Sequence, residues 1–321
     1  MYSTIAGTGS YLPEKIMTNA DMEKIVATTD EWIQSRTGIK QRHVAAEGET
    51  TTDLAEQAAR RAMDAAGVTA AEVDLICVGT TTPDLVFPNV GTLLQHRLGI
   101  HGCPAFSLEA ACTGFMYALS VSDKFVRLGE AKCALVIGAD ILTRIVDWTD
   151  RGTCVIFGDG AGAVVLKPSS EPGILSTKLH ADGKYKDLLH YPDGVSKGFH
   201  LVRAGKAGVR MKGNEVYKVA VNTLGQLVTE TLSANGMSKE QLDWLVPHQA
   251  NIRIIEAIAK RLSLPLERVI VTIADQGNTS AASVPLALDT GIRDGRIKRG
   301  QLLLLEAFGG GFTWGSALIR Y

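Results

Sequence analysis

The feature that most constrains how this chain can fold is an internal repeat with a spacing of 169 residues. At that spacing, residues 58–79 align with residues 227–248, and Gly67 falls on Gly236. Both segments have the pattern of an amphipathic helix, a glycine stop, a short turn and then an apolar strand. The repeat therefore predicts two halves that share one architecture.

A second match, at a shift of 168, places "ALVIGAD" (134–140) on "LLLLEAF" (302–308). Short apolar strands alternate with helices of about a dozen residues, which is typical of βα units around mainly parallel sheets covered on both faces. We predict an α/β fold with duplicated halves at residues 1–172 and 173–321. The irregular stretch 168–212 has no counterpart in the first half, and we expect it to join the halves and to line a site.

Charge and composition exclude several classes of protein. The chain has 33 Lys plus Arg against 34 Asp plus Glu, a net charge of −1, so no overall field favours nucleic acid or a membrane. We expect a cytoplasmic protein, because the sequence contains neither a secretory leader nor an apolar stretch of roughly 18 residues. Five cysteines without a CxxC pair and seven histidines without HxxxH or HExxH spacing predict neither a disulfide framework nor a metal site.

Cys112 lies in "LEAACTGFMYALS" (108–120), between small residues and a segment with helical spacing. A free cysteine there is either a small buried hydrophobe or a nucleophile at the start of a helix near Thr113, where the dipole favours thiolate. The repeat aligns Cys112 with Ala281, which is compatible with both interpretations. Cys77 and Cys133, within apolar strand-like runs, are predicted to be core residues.

Three polar or glycine-rich features follow predicted strands in the second half. His248 comes directly after "LDWLV", at a sheet edge where α/β proteins place ligands and catalysts, although a structural role is equally compatible. Asn278 follows a second predicted strand in a glycine turn, where an Asx turn is the alternative. The glycines at 309–311 can form a tight hairpin, and their backbone N–H groups can also hold an oxyanion.

Thiol, imidazole, carboxamide and glycine-rich donor occur here together with motifs that run nearly end to end: "GTGSYLPE", "TTDEWIQSRTGIKQRH", "ACTGFMYAL", "VPHQAN", "GNTSAAS" and "AFGGGFTWGSALIRY". In these motifs the chain resembles the thiolase superfamily, specifically the β-ketoacyl-[acyl carrier protein] synthase III family. The resemblance implies a thiolase-like fold with five layers, αβαβα. It also implies an acyltransferase that condenses a short acyl-CoA primer, acetyl-CoA first, with malonyl-acyl carrier protein to start fatty acid synthesis.

By the same resemblance, Cys112 carries the acyl group, and His248 and Asn278 stabilise the enolate formed by decarboxylation. The backbone N–H groups of Cys112 and Gly310 form the oxyanion hole. The reaction uses no metal or cofactor, CoA being part of the substrate.

The resemblance also implies binding residues and an assembly. The CoA site comprises Trp32, Arg36, Arg151, Asn214 and Asn251, although Trp32 alone would also fit the packed face of a short helix. Phe87 crosses a homodimer interface to cap the acyl pocket. The carrier protein is acidic, so we expect it to bind a basic patch, for which Lys218, Arg253, Lys260 and Arg261 are candidates; a solvated helix face is the alternative.

Three other functions compete with this one. A specialised relative would use the same residues on a longer or aromatic acyl group. A cysteine hydrolase would release a free acid, but the internal repeat gives it no support. An inactive binding subunit is disfavoured because all three polar positions are filled.

Overall fold

The computed structural model describes all residues, 1–321. The strands are β1 (Tyr2–Tyr11), β2 (Lys15–Thr18), β3 (Gln41–Val44), β4 (Leu75–Gly79), β5 (Ala105–Leu108), β6 (Ala134–Ile141), β7 (Asp159–Ser169), β8 (Ile174–Ala181), β9 (Leu189–His190), β10 (Arg210–Met211), β11 (Trp244–Pro247), β12 (Leu302–Gly309) and β13 (Thr313–Arg320). The helices are α1 (Asn19–Met22), α2 (Asp30–Thr37), α3 (Thr51–Ala66), α4 (Val90–Arg97), α5 (Gly114–Leu128), α6 (Arg151–Cys154), α7 (His200–Arg203), α8 (Gly213–Ala234), α9 (Ile252–Leu262), α10 (Ile273–Gln276) and α11 (Ser283–Arg293).

Two mixed sheets contain the duplicated halves. The first has the strand order β1-β7-β6-β4-β5 and the second the order β11-β12-β13-β8. Strands β4, β6, β7 and β1 correspond in order to β11, β12, β13 and β8, so the predicted duplication is confirmed. The counterpart of β5 is reduced to one bridge between Val269 and Leu245.

Two details of the predicted fold are wrong. The sheets are not mainly parallel, because β7 is antiparallel to both of its neighbours and β13 is antiparallel to both of its own. Only three residues, 310–312, connect β12 to β13, and so short a connection forces a hairpin. The stretch 168–212 does have a counterpart in the first half, since it contains β8, which pairs with β13 as β1 pairs with β7.

The layers follow from which helices cover which sheet face. Helices α5 and α11 lie between the two sheets, α3 and α4 cover the outer face of the first, and α8 and α9 cover that of the second. Three apolar clusters fill the resulting spaces, including Cys77 in the central one and Cys133 in the outer one under α3. The five-layered αβαβα arrangement and the burial of both cysteines are therefore confirmed.

Glycines end the two helices that the repeat aligns. Gly67 after α3 has φ +61° and Gly236 after α8 has φ +62°, left-handed values that glycine adopts without steric cost. Helix α3 begins at a capping box formed by Thr50 and Asp53. The predicted stop signals are thus used at the same point in both halves.

We propose that the boundary between the halves falls at 172/173, in the connection between β7 and β8. Ser169 closes the first sheet and Ile174 opens the second, which supports this division. No helix combines the length and the apolar character needed to cross a bilayer. No group of three or more His, Cys, Asp or Glu side chains is arranged to hold a metal ion.

Candidate active site

Cys112 lies in a one-turn 3-10 segment, Ala111–Thr113, that connects β5 to α5. The predicted helix start near Thr113 is confirmed, since α5 begins at Gly114. Only 8% of Cys112 is exposed, yet it lines two cavities. The residue is therefore buried and also accessible from two sides.

The second half repeats this backbone at the start of α11. Ala111 has φ +45° and Ser280, its counterpart at a spacing of 169, has φ +52°. Left-handed values are uncommon for residues with a Cβ and are concentrated at functional sites. Each half therefore forms a strained turn before its central helix, and the first half places Cys112 in that turn.

The smaller cavity, about 280 Å³, brings three of the predicted site residues together: Cys112, His248 and Asn278 line it. The larger cavity, about 860 Å³, contains Cys112 and Gly310 in its wall. Residues from the stretch 168–212, among them Leu189, also line the larger cavity, so the expectation that this stretch lines a site is confirmed. The two cavities meet at Cys112.

His248 follows β11 directly, as the sequence predicted. Its backbone N–H donates to the carbonyl of Glu306 (2.8 Å), and its ring Nδ1 lies 2.5 Å from Ser283 Oγ. Burial lowers the pKa of His248 to about 3, so the imidazole is neutral at physiological pH. It makes no ion pair with a carboxylate.

Asn278 is placed by a hydrogen bond within its own turn. Its Oδ1 accepts from the backbone N–H of Ser280 (2.9 Å), which confirms the Asx turn and assigns the amide orientation. Its Nδ2 makes no hydrogen bond within the protein and so remains a donor toward the cavity. One detail differs from the prediction: Asn278 follows α10 and Gly277 rather than a strand. Its only strand-like pairing is one isolated β-bridge to Phe157.

Two backbone donors at the site also have no partner. The N–H groups of Cys112 and Gly310 take part in no hydrogen bond. The first glycine of the run at 309–311 brings β12 close to them: a Cβ on Gly309 would lie 2.8 Å from the backbone nitrogen of Cys112. A run of three glycines was the available signal, but it did not indicate which glycine needs the close approach.

The expectation that the helix start yields a thiolate needs correction. The pKa of the Cys112 thiol is raised to about 12, chiefly by burial; the Ser280 hydroxyl lowers it and the nearby carboxylate of Asp140 raises it by smaller amounts. Removal of water from the thiol is the largest of these effects. The thiol is therefore protonated at neutral pH in this structure.

Four of the five predicted CoA residues line the smaller cavity: Trp32, Arg36, Asn214 and Asn251. Arg151 lies outside that wall, with its guanidinium 4.6 Å from the centroid of the Trp32 ring. A base inserted between the two would need them about 7 Å apart, twice the contact distance of about 3.5 Å. The Asn251 amide caps α9 through Arg253 and donates to the carbonyl of Arg36, so both of its ends are already occupied.

The remaining predicted residues lie on the surface. Phe87 is 82% exposed, beside the exposed apolar side chains of Leu85 and Val86. The four predicted carrier-binding cations are exposed and unpaired, and they lie on α8 and α9: Lys218, Arg253, Lys260 and Arg261. Arg253 also lines the smaller cavity, so one of the four cations adjoins the site.

Comparison with known proteins agrees with this geometry. Residues 106–183 match the family model "3-Oxoacyl-[acyl-carrier-protein (ACP)] synthase III", and residues 232–321 match the model of its C-terminal part. A β-ketoacyl-[acyl-carrier-protein] synthase III from Xanthomonas campestris is 67% identical over 100% of this chain and 99% of its own length.

Solved structures of the same kind superpose on the chain. The 3-oxoacyl-[acyl-carrier-protein] synthase III from Aquifex aeolicus has a TM-score of 0.94 at 48% identity, covering 99% of this chain and 100% of its own. The priming β-ketosynthase of the R1128 polyketide pathway has a TM-score of 0.94 at 36% identity, covering 99% and 96%. This chain belongs to the β-ketoacyl-[acyl-carrier-protein] synthase III family, within the thiolase-like fold.

Proposed function

We propose that this protein condenses a short acyl-CoA primer, acetyl-CoA first, with malonyl-acyl carrier protein, releasing CoA and carbon dioxide. The product is a 3-oxoacyl-acyl carrier protein, the starting compound of fatty acid synthesis. The observation that carries the proposal is the shared cavity of Cys112, His248 and Asn278 in a chain of this family. CoA is a substrate here, and the proposed reaction uses no metal or cofactor.

In the first half-reaction, Cys112 Sγ attacks the acyl carbon of the primer thioester. The bond from that carbon to the CoA sulfur breaks, and the thiol proton leaves with CoA as its own thiol. The negative charge that develops on the acyl oxygen is met by the backbone N–H groups of Cys112 and Gly310, which are free of other partners. Covalent storage of the acyl group separates the condensation into two easier steps, a ping-pong mechanism.

In the second half-reaction, the malonyl group loses carbon dioxide, and the electron pair of the broken C–C bond moves onto its thioester oxygen. Donors from His248 and Asn278 stabilise this enolate, and a neutral imidazole and a neutral amide suit that role. The enolate carbon then attacks the acyl carbon held on Cys112, and Sγ leaves as thiolate. Removal of one such donor typically costs about 2.7–4 kcal/mol of barrier.

Around Trp32, the CoA site is supported by two guanidinium groups, because Arg36 and Arg151 lie 5.1 and 4.6 Å from the ring centroid. Indole and guanidinium are stacking surfaces for a nucleotide base. Since Arg151 now occupies the face of Trp32, we propose that the adenine displaces its guanidinium. Asn214 and Asn251 are proposed along the pantetheine arm in the same cavity.

We propose that the larger cavity is the acyl cavity. We further propose that the active assembly is a cytoplasmic homodimer, in which Phe87 of one subunit caps the acyl cavity of the other. A phenylalanine that is 82% exposed supports this assignment, since large aromatic side chains are seldom left in water. Capping would limit the primer to a short chain. A panel of acyl-CoA primers of increasing length tests this limit. Preference for a long or an aromatic primer would instead favour the alternative function, a specialised condensing enzyme.

For the carrier protein we propose the basic patch on α8 and α9. The double variant Arg253→Glu with Lys260→Glu should slow turnover of malonyl-carrier protein and spare acyl-CoA loading. Lys15→Glu with Lys132→Glu changes the net charge equally at exposed lysines outside the patch, and serves as the control. Equal loss in both half-reactions of the first variant would exclude this surface as the carrier site.

The decisive experiment for the proposed function is mass spectrometry of the intact protein after exposure to acetyl-CoA. We expect one acetyl adduct, located on Cys112 by peptide mapping and absent from Cys112→Ser. Addition of malonyl-carrier protein should then remove the adduct with release of carbon dioxide. Labelling at another residue, or release of free acetate instead of a ketoacyl product, would overturn the proposal.

A further inference from the structure

Ser283, the first residue of α11, makes the contact that determines how the His248 ring is presented. Its Oγ lies 2.5 Å from Nδ1 of His248 and 3.4 Å from the backbone nitrogen of Gln249. Ser283 is fully buried and His248 is 5% exposed. The Ser283 hydroxyl makes no hydrogen bond to a carbonyl or a carboxylate.

These partners assign the protons. The N–H of Gln249 can only donate, so it uses one lone pair of Ser283 Oγ. The Ser283 hydroxyl then has a single acceptor for its hydrogen, which is Nδ1 of His248. If Nδ1 carried the proton instead, it would donate to Oγ and leave the buried hydroxyl hydrogen without an acceptor, which is unfavourable. The buried Ser283 hydroxyl and Nδ1 of His248 are both satisfied only when the ring proton is on Nε2.

The backbone around His248 is held too firmly to offer an alternative. The Gln249 side chain donates to the carbonyls of Pro247 (2.8 Å) and Ile270 (3.0 Å). It also accepts from the N–H groups of Thr272 and Ile273. Gln249 therefore fixes the loop, and Ser283 fixes the ring.

We propose that Ser283 is a positioning residue that holds His248 in the Nε2–H tautomer, with that N–H directed into the cavity. The inference deepens the proposed function and rests on it, because an Nε2–H donor can stabilise the malonyl enolate whereas an Nε2 lone pair would repel it. Ser283 acts through His248 and touches no substrate. The repeat aligns Ser283 with Gly114, so only the second half has this hydroxyl.

Two measurements test the proposal. The first is ¹⁵N NMR of the histidine-labelled protein, in which the shifts of the two ring nitrogens distinguish the tautomers; the signals absent from His248→Ala identify this ring. We expect Nε2–H in the wild type. Nδ1–H in the wild type would overturn the proposal, and this measurement needs no altered Ser283.

The second measurement compares the half-reactions of Ser283→Ala. We expect release of carbon dioxide from malonyl-carrier protein to fall about 100-fold, the effect of losing one oriented donor, while acetylation of Cys112 by acetyl-CoA stays within about two-fold. Ser283→Thr, which keeps the hydroxyl, should restore most of the decarboxylation. Ser316→Ala is the matched control, since Ser316 is also fully buried and its Oγ lies 2.7 Å from that of Thr231, outside the site.

Wild-type decarboxylation in Ser283→Ala would overturn the inference. A wild-type protein that acetylates Cys112 but never decarboxylates malonyl-carrier protein would instead overturn the proposed function. In that case the NMR measurement still decides the tautomer, so the two failures are distinguishable.

Discussion

At the scale of single residues, Cys112 experiences two opposing influences. The start of α5 favours a thiolate, whereas burial is the main cause that raises the thiol pKa to about 12. A thiol that is protonated until substrate arrives is protected from adventitious alkylation and oxidation, because the thiolate is the reactive form. Reactivity then depends on the acyl-CoA itself, whose departing sulfur takes up the thiol proton.

The alkylation rate of Cys112 should therefore rise with pH without a plateau. With the pKa near 12, the thiolate fraction grows about tenfold per pH unit between pH 6 and 9. Iodoacetamide labelling followed by peptide mass spectrometry measures this rate at Cys112, and Cys112→Ser verifies the assignment. A rate that levels off below pH 8 would mean that the helix dipole outweighs burial.

Gly309 packs directly against Cys112, because it has no side chain to keep the two backbones apart. A Cβ at Gly309 would lie 2.8 Å from the Cys112 nitrogen and 3.1 Å from its Cβ, so Gly309→Ala must displace the turn. We expect a destabilisation of about 1–3 kcal/mol and a marked loss of acetylation by acetyl-CoA. Chemical denaturation and intact-mass measurements check the two effects. Gly183→Ala, where a Cβ meets nothing within 4 Å, should behave as wild type.

At the scale of elements, the carboxylate of Asp140 at the end of β6 joins the two halves at the site. Its Oδ1 accepts from the N–H groups of Thr81 (2.8 Å) and Thr82 (3.2 Å), which precede the exposed apolar loop. Its Oδ2 accepts from the N–H of Ala281 (3.1 Å), in the turn that holds Asn278. One buried side chain thus sets the spacing between the acyl cavity and the carboxamide.

Asp140→Asn should disturb that spacing. One carboxylate oxygen becomes an NH₂ group that faces backbone N–H donors, a loss of about 1–3 kcal/mol for a buried unsatisfied group. We expect decarboxylation of malonyl-carrier protein to fall more than acetylation of Cys112, measured as separate half-reactions. Asp123→Asn is the control. Asp123 is equally buried, but its carboxylate accepts a hydrogen bond from the Ser3 hydroxyl instead of from residues at the site. A similar change in both half-reactions would limit Asp140 to a role in stability.

The elements that the sequence could predict are those with local signals. Such local signals come from residues adjacent in the sequence. They predicted the helix stops at Gly67 and Gly236, the helix after Cys112 and the strand before His248. The antiparallel pairs β1–β7 and β13–β8 were missed because they join strands that are far apart in the sequence and leave no periodic signal. For the same reason Ser283 and Asp140 were missed: each acts on a residue that is 35 or more positions away. The hairpin of β12 and β13, in contrast, was one of the interpretations of the glycines at 309–311.

At the scale of the whole molecule, the two cavities approach Cys112 from different directions. The smaller one is lined by Trp32 and by Arg253 of the basic patch, which suits delivery of CoA and of the carrier arm. The larger one is bounded by the loop that exposes Leu85, Val86 and Phe87. The proposed homodimer would cover this exposed apolar loop with a second apolar surface.

Phe87→Asp should therefore separate the subunits. A buried, unpaired carboxylate at an apolar interface is costly, so we expect the variant to sediment as a monomer where the wild type sediments as a dimer. Leu128→Asp is the matched control: Leu128 is 78% exposed, at the end of α5 and away from this loop, and its replacement should leave the assembly unchanged. Sedimentation velocity measures both variants. The Phe87 cap would be lost with the partner subunit, so the monomeric variant should also lose acetylation of Cys112 by short primers. A dimer that persists in Phe87→Asp would place the interface elsewhere.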